Sequence, residues 1–530
     1  MFTGAALLLL TVVGGWLLTR RGLPSTSTDS KLSAVEGQRL LEAVMNRVRQ
    51  NWVDSLPADE LYRRAALGLI DELGDPNSAF LPPDRLRRLR EVTSGSYRGV
   101  GMNVDTRDGC ITVISLRSGS PADRAGIQSG DRLTEVNGQS LKGWSVSEAS
   151  NALRGPIGSR VSLVVERRFG GARVPLTLVR TDIHVSSVQR AMMLDARAGY
   201  FAITSFTDST AGEVASMLDS LTKVGMTSLV LDLRGNPGGL LAQGVAVADL
   251  FLDRGQRIVS TKGRLPSATV SYVDDAVQRW PHLAIVVIVN GNTASAAEIV
   301  AGALQDHDRG VVIGRPSYGK GSAQSVISLD SGAALKLTNA RWFTPAGRSI
   351  ERPHLRSADA SSADTIRPRF KTDRGRVVEG GGGIIPDLLA GESSVPPNER
   401  RWVEAVGARL TIFRDALTSY VAQVAPQLHV KDPEFTVTAE LREGLWHAMV
   451  RRGLTLPRDV YDEAHDAIDR VLGREIAREL FGLAGEQRRI VRGDPVISKA
   501  IALLSGVTEP DALFDRVARR GTVDTSGAAK

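Results

Sequence analysis

Two apolar runs, each followed by a glycine-bearing turn and then by a helical pattern, constrain the fold of this chain most strongly. The first run is Ser228–Leu233 and the second is Ala284–Val289, after which a helix is expected from Ser295. Short apolar runs bounded by turn residues are typical of strands, and strands that alternate with helices form parallel βα units. We therefore predict a parallel α/β core within residues 199–337.

The remaining residues divide into three segments of different character. Apolar residues recur at helical spacing in residues 32–90, short β-type runs punctuated by glycine fill residues 97–181, and helical periodicity dominates beyond Asn398. At 530 residues the chain exceeds the size at which a single hydrophobic core usually stops growing. These features predict a multidomain α+β protein with helical N- and C-terminal regions.

The N-terminus carries an almost unbroken apolar run, Ala5 to Leu18, which Thr19-Arg20-Arg21 closes. The run is too short for a comfortable transmembrane helix and lacks a preceding basic region, so it is an imperfect export signal. Because no clear cleavage site follows, we expect residues 1–24 to stay as a membrane anchor. The protein would then be exported, to the periplasm or cell envelope. A buried N-terminal helix is the alternative.

The charge pattern argues against a nucleic-acid partner. The formal net charge of +7 is modest for this length, and the basic residues are scattered among acidic neighbours, as on a solvated helix surface. The lone cysteine, Cys110, excludes an intramolecular disulfide. The seven histidines show no H-E-x-x-H or other close metal-ligand spacing. We predict no metal and no other cofactor.

The turn after the second apolar run contains one serine among small residues, Asn290-Gly291-Asn292-Thr293-Ala294-Ser295-Ala296-Ala297-Glu298. A strand–turn–helix of this kind can present a hydroxyl at a helix N-terminus, where free backbone N–H groups would stabilise an oxyanion. Ser295-x-x-Glu298 also fits a capping box, which needs no catalysis. From this segment alone both interpretations stay open.

A glycine-flanked lysine lies in Gly314-Arg315-Pro316-Ser317-Tyr318-Gly319-Lys320-Gly321. The segment nearly matches a phosphate-binding loop, but Gly321 stands where a Mg²⁺-ligating Ser or Thr belongs, and a strand is expected at Ser325–Leu329 instead of a helix. A desolvated lysine loses much of its preference for the charged form and can act as a base near neutrality. A solvent-exposed loop lysine is the alternative.

The first apolar run ends in Asp232-Leu233-Arg234-Gly235-Asn236-Pro237-Gly238-Gly239. It superficially resembles the Gly-Asn-Ser-Gly-Gly of trypsin-like enzymes, but Pro237 replaces the serine, so no trypsin-like nucleophile is present here. What remains is a set of backbone amides able to face a reacting carbonyl. A purely structural βα turn is the alternative.

Together and in this order, the three segments resemble the C-terminal processing, or tail-specific, peptidases. Lys320 stands at that family's spacing from Ser295, and the resemblance extends over residues 32–387 because Gly74-Asp75-Pro76-Asn77-Ser78 and Ile384-Ile385-Pro386-Asp387 also match. The resemblance implies a crotonase-like α/β peptidase core, without cofactor, in residues 184–395. The long insertion after Arg352 and the region beyond Asn398 are less typical of the family.

The resemblance also implies a role for five residues of the core. Ser295 would be the nucleophile, Lys320 the general base, and Gln324 the residue that orients the Lys320 amine. The backbone N–H groups of Gly239 and Ala296 would form the oxyanion hole. The chemistry is self-consistent, because a neutral amine can take the serine proton and later protonate the leaving amine.

Residues 97–181 resemble a PDZ domain. Arg98-Gly99-Val100-Gly101-Met102 occupies the place of the carboxylate-binding loop, and Ser147–Leu153 would be the helix beside the groove. PDZ domains add an extended peptide as a β-strand and capture its terminal carboxylate on backbone amides. Taken alone, the loop could equally be a structural glycine turn in a β-rich domain.

The sequence therefore predicts a serine endopeptidase that hydrolyses peptide bonds near protein C-termini and holds the substrate tail in its PDZ domain. The expected divisions are an anchor (1–24), a helical region (30–95), the PDZ domain (97–183), the peptidase core (184–395) and a C-terminal helical region (396–530). The alternative function is an inactive PDZ-containing binding or scaffold protein. A PDZ-containing protease of trypsin-like fold would need a catalytic His and Asp that the sequence does not supply.

Overall fold

A computed structural model describes residues 32–168, 171–330, 332–352, 367–391 and 395–524 of the chain. The expected anchor at 1–24 and most of the insertion after Arg352 lie outside these residues. The chain divides into two compact units, Met1–Phe80 and Leu81–Lys530. In the described ranges, no helix combines the length and the apolar character needed to cross a membrane.

The first unit contains helices α1 (Ala34–Asn51) and α2 (Ala58–Asp71). A capping box starts α1: the Ser33 hydroxyl accepts the Glu36 N–H, and the Glu36 carboxylate accepts the Ser33 N–H at 2.9 Å. Such a box satisfies two backbone donors that a helix N-terminus otherwise leaves unpaired. The predicted helical character of the N-terminal region is confirmed. The short strand β1 (Ala79–Leu81) follows α2 in sequence.

The second unit begins with helix α3 (Pro83–Ser94) and continues into a β-rich segment. That segment contains β2 (Ser96–Gly99), β3 (Met102–Arg107), β4 (Cys110–Leu116), α4 (Pro121–Arg124), β5 (Arg132–Val136), β6 (Gln139–Ser140), α5 (Val146–Leu153), β7 (Arg160–Glu166), β8 (Arg173–Val179) and β9 (Thr181–His184). The antiparallel order is β3-β4-β5-β7-β8, with β6 beside β5 and a separate β2–β9 pair. Strand β3 is therefore a terminal strand of its sheet.

The predicted α/β core follows and is confirmed. Its elements are β10 (Val188–Met193), β11 (Ala198–Ile203), α6 (Thr210–Lys223), β12 (Ser228–Asp232), α7 (Leu241–Asp249), β15 (Ala284–Val289), α8 (Ala296–Asp306), β16 (Val311–Gly314) and β21 (Leu388–Leu389). The sheet order is β10-β11-β12-β15-β16-β21, parallel throughout except for the β10–β11 pair. Every residue of β12 and β15 is buried, which is why these strands read as continuous apolar runs.

Other strands pair beside this core. They are β13 (Arg257–Gly263), β14 (Val270–Val273), β17 (Ser322–Ser328), β18 (Ala334–Phe343) and a hairpin of β19 (Arg369–Lys371) and β20 (Val377–Glu379). Strand β13 pairs with β14 and β18, and β17 pairs with β18, all antiparallel. Because β17 starts two residues after Lys320, the predicted strand in place of a phosphate-loop helix is confirmed.

The C-terminal region is helical, as predicted. Its helices are α9 (Pro397–Val406), α10 (Leu410–Val424), α11 (Ala439–Arg451), α12 (Arg458–Glu463), α13 (His465–Arg492), α14 (Pro495–Leu504) and α15 (Pro510–Asp524). Helices α9 to α13 share a hydrophobic core of their own. Helices α14 and α15 instead pack on the core sheet, so the C-terminal region contains two structurally different parts.

The core sheet buries both faces because adjacent residues of a strand point in opposite directions. Leu229 and Leu231 of β12 pack with α6, α7 and α8 on one side. Val230, between them, packs on the other side with α14 and α15, including Ile497 and Phe514. The catalytic motifs predicted from sequence therefore lie in turns anchored to a sheet covered on both faces.

The β-rich segment meets helices α10 and α13 through polar contacts. Arg168 pairs with Glu479 at 3.0 Å, and Arg414 pairs with Asp105 at 2.8 Å. The Nε of Arg107 is buried there without a hydrogen-bond partner in the described part of the chain. A cavity of about 390 Å³ opens between the two regions. This contact is polar, unlike the apolar packing inside each region.

Candidate active site

Ser295 occupies the turn between β15 and α8 with an unusual backbone conformation. Its φ is 55° and its ψ is −117°, so a residue with a side chain lies at positive φ. Such strain persists only where the surroundings impose it, and it is frequent at functional sites. A sharp strand-to-helix turn of this kind is also how α/β hydrolases expose a nucleophilic serine.

Glu298, in the first turn of α8, fastens this turn to the lysine segment. Its side chain is fully buried. One carboxylate oxygen accepts the N–H groups of Ser295 (2.7 Å) and Lys320 (3.0 Å), and the other accepts the Ser317 hydroxyl (2.5 Å) and the Gly319 N–H (2.7 Å). One side chain thus holds the backbones of both predicted catalytic residues.

The hydrogen bonds of Glu298 include those of a capping box but go beyond it. The carboxylate does accept the Ser295 N–H, as a capping box requires, while the N–H of Glu298 donates to the Ser295 carbonyl oxygen at 2.8 Å. The three further donors come from the lysine segment, which a cap does not need. Burial raises the pKa of Glu298 above its ordinary range, and its four hydrogen bonds oppose that change.

The lysine segment is held on its other side as well. The Lys320 carbonyl oxygen accepts the indole N–H of Trp342 at 3.0 Å, and the Gly319 carbonyl oxygen accepts the Arg352 N–H at 3.0 Å. The Gly321 N–H donates to the Glu351 carboxylate at 2.6 Å. Lys320 itself is half-buried. These contacts describe a fixed segment rather than the exposed loop of the alternative interpretation.

Gln324 lies in β17, close to the lysine segment in sequence. Its amide nitrogen donates to the hydroxyls of Ser322 (3.0 Å) and Thr338 (3.1 Å). These two bonds fix the orientation of the amide. Its oxygen Oε1 is the atom that could accept a hydrogen bond from an amine.

The Gly238–Gly239 turn passes Phe206 at a distance that only glycine permits. The Phe206 N–H donates to the Gly238 carbonyl oxygen at 3.0 Å, and the Leu240 N–H donates to the Phe206 carbonyl oxygen at 2.9 Å. A Cβ on Gly239, which has φ 151°, would lie 2.1 Å from that carbonyl oxygen. Because both bonds use the neighbours of Gly239, its own N–H points away from Phe206.

The glycine turn also touches the serine turn. A Cβ on Gly238 would lie 2.7 Å from the Ser295 Cβ and 2.9 Å from the Ala296 nitrogen. The N–H groups of Gly239 and Ala296 donate no hydrogen bond to any residue that the structure describes. Two backbone donors therefore lie beside Ser295 and are available for a third group, as an oxyanion hole requires.

Asn236 joins the two turns and was missed by sequence reasoning. It is fully buried; its Oδ1 accepts the Gly238 N–H at 2.8 Å and its Nδ2 donates to the Ile203 carbonyl oxygen at 2.8 Å. Its own carbonyl oxygen accepts the Ala294 N–H at 2.9 Å. The asparagine in Gly-Asn-Pro-Gly-Gly was the available signal, because a buried asparagine needs several partners.

The β-rich segment offers a second pair of backbone donors. Within the described residues, the N–H groups of Val100 and Gly101 donate no hydrogen bond. They border a cavity of about 150 Å³ between β3 and α5, which Met102 and Leu153 also line. The predicted loop thus lies at the end of a groove, with Arg98 exposed beside it.

Comparison with known proteins agrees with these features. The model of peptidase family S41 matches residues 197–357, and a PDZ-domain model matches residues 112–167. The carboxy-terminal processing protease CtpA of Bacillus subtilis is 36% identical over 336 residues, which cover 63% of this chain and 70% of that protein. The carboxy-terminal-processing protease of Bartonella bacilliformis is 36% identical over 335 residues, 62% of this chain and 75% of that protein.

Among solved structures, the photosystem II D1 C-terminal processing protease matches 67% of this chain and 88% of its own, with 29% identity and a TM-score of 0.36. The relatives and the family models confirm the resemblance, the combination of peptidase core and PDZ domain, and the serine peptidase class predicted from the sequence. The protease interpretation is therefore favoured over the binding-protein alternative. The chain belongs to the carboxy-terminal processing proteases of peptidase family S41 and is a serine peptidase with a PDZ domain.

Proposed function

We propose that Ser295 is the nucleophile of this peptidase and that Lys320 is its general base. The supporting observation is the Glu298 carboxylate, which holds the backbones of both residues. Positioning two reacting groups in advance removes much of the entropic barrier to their reaction. The neutral Lys320 amine takes the hydroxyl proton while Oγ bonds to the scissile carbonyl carbon, and the carbonyl oxygen becomes an oxyanion.

The oxyanion accepts hydrogen bonds from the N–H groups of Gly239 and Ala296, which have no other acceptor among the described residues. The Lys320 ammonium then protonates the leaving amine as the carbon–nitrogen bond breaks, which leaves an acyl-enzyme on Ser295. A water molecule, deprotonated by the same amine, hydrolyses the ester and restores the serine. Gln324 orients the amine by accepting a hydrogen bond on Oε1.

For the substrate, we propose a protein or peptide whose free C-terminus lies in the PDZ groove. Its terminal carboxylate would accept the N–H groups of Val100 and Gly101, with Arg98, Gly99 and Met102 completing the loop. The tail would pair with β3, whose position at the end of its sheet leaves an edge for another strand. The scissile bond would then lie upstream of the captured terminus.

Matched peptides test this proposal. One peptide ends in a free carboxylate and the other, of the same sequence, ends in an amide. The amide removes the negative charge that the Val100 and Gly101 N–H groups would bind, so we expect a higher KM and little change in kcat. A Ser295→Ala variant should cleave neither peptide and should still bind the free-acid form more tightly. Equal KM values for the two peptides would contradict tail capture.

The cellular location is a separate proposal that rests on the sequence. We propose export to the periplasm or cell envelope, with residues 1–24 as an anchor. The helical region (30–95), the PDZ domain (97–183), the peptidase core (184–395) and the C-terminal helical region (396–530) would follow the anchor along the chain. Fractionation of cells expressing the full chain and a chain lacking residues 1–24 tests it. The full chain should sediment with membranes, and the shortened chain should not; the same distribution for both would contradict anchoring.

A further inference from the structure

Three carboxylates converge at the end of α7 that lies opposite the Gly238–Gly239 turn. Asp249 is the last residue of α7, and Asp274 and Asp275 follow β14. One oxygen of each carboxylate lies within 4.8 Å of the other two. An acidic group of this kind is common on protein surfaces, so its surroundings decide whether it binds anything.

Asp274 differs from the other two carboxylates because its side chain is buried and only one of its two oxygens accepts a hydrogen bond. Its side chain is 2% exposed. Oδ1 accepts the Ala276 N–H at 2.8 Å, whereas the buried Oδ2 has no hydrogen-bond partner in the described part of the chain. The backbone of Asp274 is bonded in both directions to the loop at 255–256, which fixes the position of its Cα beside the other two carboxylates. A buried acceptor without a donor is costly.

Within the described residues, none of the three carboxylates forms a salt bridge, because no Lys, Arg or His nitrogen lies within 4.0 Å of their oxygens. The nearby Arg254 donates instead to the Asp275 carbonyl oxygen at 2.9 Å. The last carbonyl groups of α7 add partial negative charge, which favours a cation at this end of the helix.

We propose that Asp249, Asp274 and Asp275 bind a hard divalent cation, for which calcium is the best fit. All three offer oxygen, the ligand that calcium and magnesium prefer. Because these oxygens lie within 4.8 Å of one another, one cation with metal–oxygen distances of about 2.4 Å can reach all three. Calcium accepts irregular coordination by carboxylates, whereas magnesium requires nearly ideal octahedral geometry and usually keeps several waters. Asp275 is exposed and Asp249 half-buried, so water can complete the coordination.

The proposal revises the expectation that the chain binds no metal, which rested on histidine spacing. The cation would join the C-terminal end of α7 to the loop after β14. Helix α7 packs along α8, with Gly244 so close that a Cβ there would lie 3.0 Å from the Ala296 carbonyl oxygen. Calcium binding should therefore stabilise the core, and it does not depend on the proposed catalytic roles.

The direct test is calcium titration of the full chain after chelator treatment, by calorimetry and by thermal unfolding at constant ionic strength. At about ten times Kd, calcium should raise the Tm of the wild type by about 2–4 °C. Asp274→Asn should weaken binding by about ten-fold or more. Asp253→Asn is the matched control, because it removes one exposed carboxylate of the neighbouring loop from outside the group. It should retain the calcium response, and magnesium should bind more weakly than calcium in both proteins.

A second readout uses the mutual repulsion of the three carboxylates, whose oxygens lie within 4.8 Å of one another. In chelator at neutral pH, Asp274→Asn should be at least as stable as the wild type, because it removes one of the three charges. Calcium should reverse that order, because it stabilises the wild type more than the variant.

Two outcomes would overturn the proposal. One is the absence of saturable calcium binding to the chelator-treated wild type. The other is an equal calcium response in Asp274→Asn and the wild type, which would place any bound ion elsewhere.

Discussion

The proposed carboxylate-binding loop of the PDZ domain (Arg98–Met102) and the proposed oxyanion hole of the core use the same chemistry in two different surroundings. Each has two backbone N–H groups without an acceptor among the described residues: Val100 and Gly101 in the loop, Gly239 and Ala296 in the core. The loop lies at the end of an open groove of about 150 Å³. The core pair lies beside Ser295, whose φ is positive, and the fully buried side chains of Asn236 and Glu298 accept the N–H groups of the preceding residues, Gly238 and Ser295.

The difference follows from when the negative charge appears. A peptide's terminal carboxylate is charged before it binds, so the loop only has to be reachable. The oxyanion exists only during the reaction, so its donors must be fixed in advance to stabilise the transition state more than the substrate. The two donors of the core are therefore expected to be held rigidly by buried side chains, whereas the two donors of the loop do not need such support.

Gly239→Ala should damage the core pair most. The added Cβ would lie 2.1 Å from the Phe206 carbonyl oxygen at φ 151°, which displaces the N–H donor. Loss of one oxyanion donor lowers kcat by about 10²–10³-fold. Steady-state kinetics checks this, with Gly212→Ala as the control because a Cβ there meets nothing within 4 Å. A folded Gly239→Ala protein with wild-type kcat would contradict the assignment.

Glu298→Gln should lower kcat by about 10–100-fold through loss of positioning. An amide replaces one accepting oxygen by NH₂, so either the Ser295 and Lys320 N–H groups or the Ser317 and Gly319 donors face another donor. The variant should keep its KM for free-acid peptides, because the PDZ loop is untouched. An unchanged kcat would show that the network is structural only.

Gly101→Ala should affect recognition instead of chemistry. With φ 81°, its Cβ would lie 2.2 Å from the Ser120 Cβ and would shift the loop. We expect about a ten-fold higher KM for free-acid peptides, the same kcat, and no change with amidated peptides. Gly109→Ala, with φ 71° and nothing within 4 Å, controls for backbone strain. A fall in kcat with an unchanged KM would contradict the proposal that the loop acts in substrate binding and the core pair in catalysis.

Glu479→Gln should have the smallest effect. It removes the ion pair between Arg168 of the PDZ domain and Glu479 of α13. Both side chains are partly buried. A pair of this kind contributes about 0.5–1 kcal/mol to the free energy of unfolding. Denaturant unfolding measures the loss, and peptide hydrolysis should be unchanged. A large loss of activity would mean that this polar contact, and not the core network, controls the catalytic site.

Local sequence patterns predicted the secondary-structure elements. The features that they missed depend on contacts between residues that are distant in sequence. The strand Ala284–Val289 was predicted with its observed bounds, and the groove helix begins one residue before the predicted Ser147, because apolar runs and caps are local signals. Three of the four hydrogen bonds of Glu298 join residues 19 to 22 positions apart, which no local pattern encodes. The carboxylates of Asp249 and Asp274 meet only because β14 ends beside α7.

The pairing of Ser295 with Lys320 is tested most directly by peptide hydrolysis with purified, folded Lys320→Arg protein. Arginine keeps the positive charge but stays protonated, so it cannot take the serine proton. Lys223→Arg, on an exposed position at the end of α6, is the matched control and should keep wild-type kinetics. We predict that Lys320→Arg loses at least about 10³-fold in kcat with an unchanged KM. A kcat near that of the wild type would contradict the Ser–Lys mechanism.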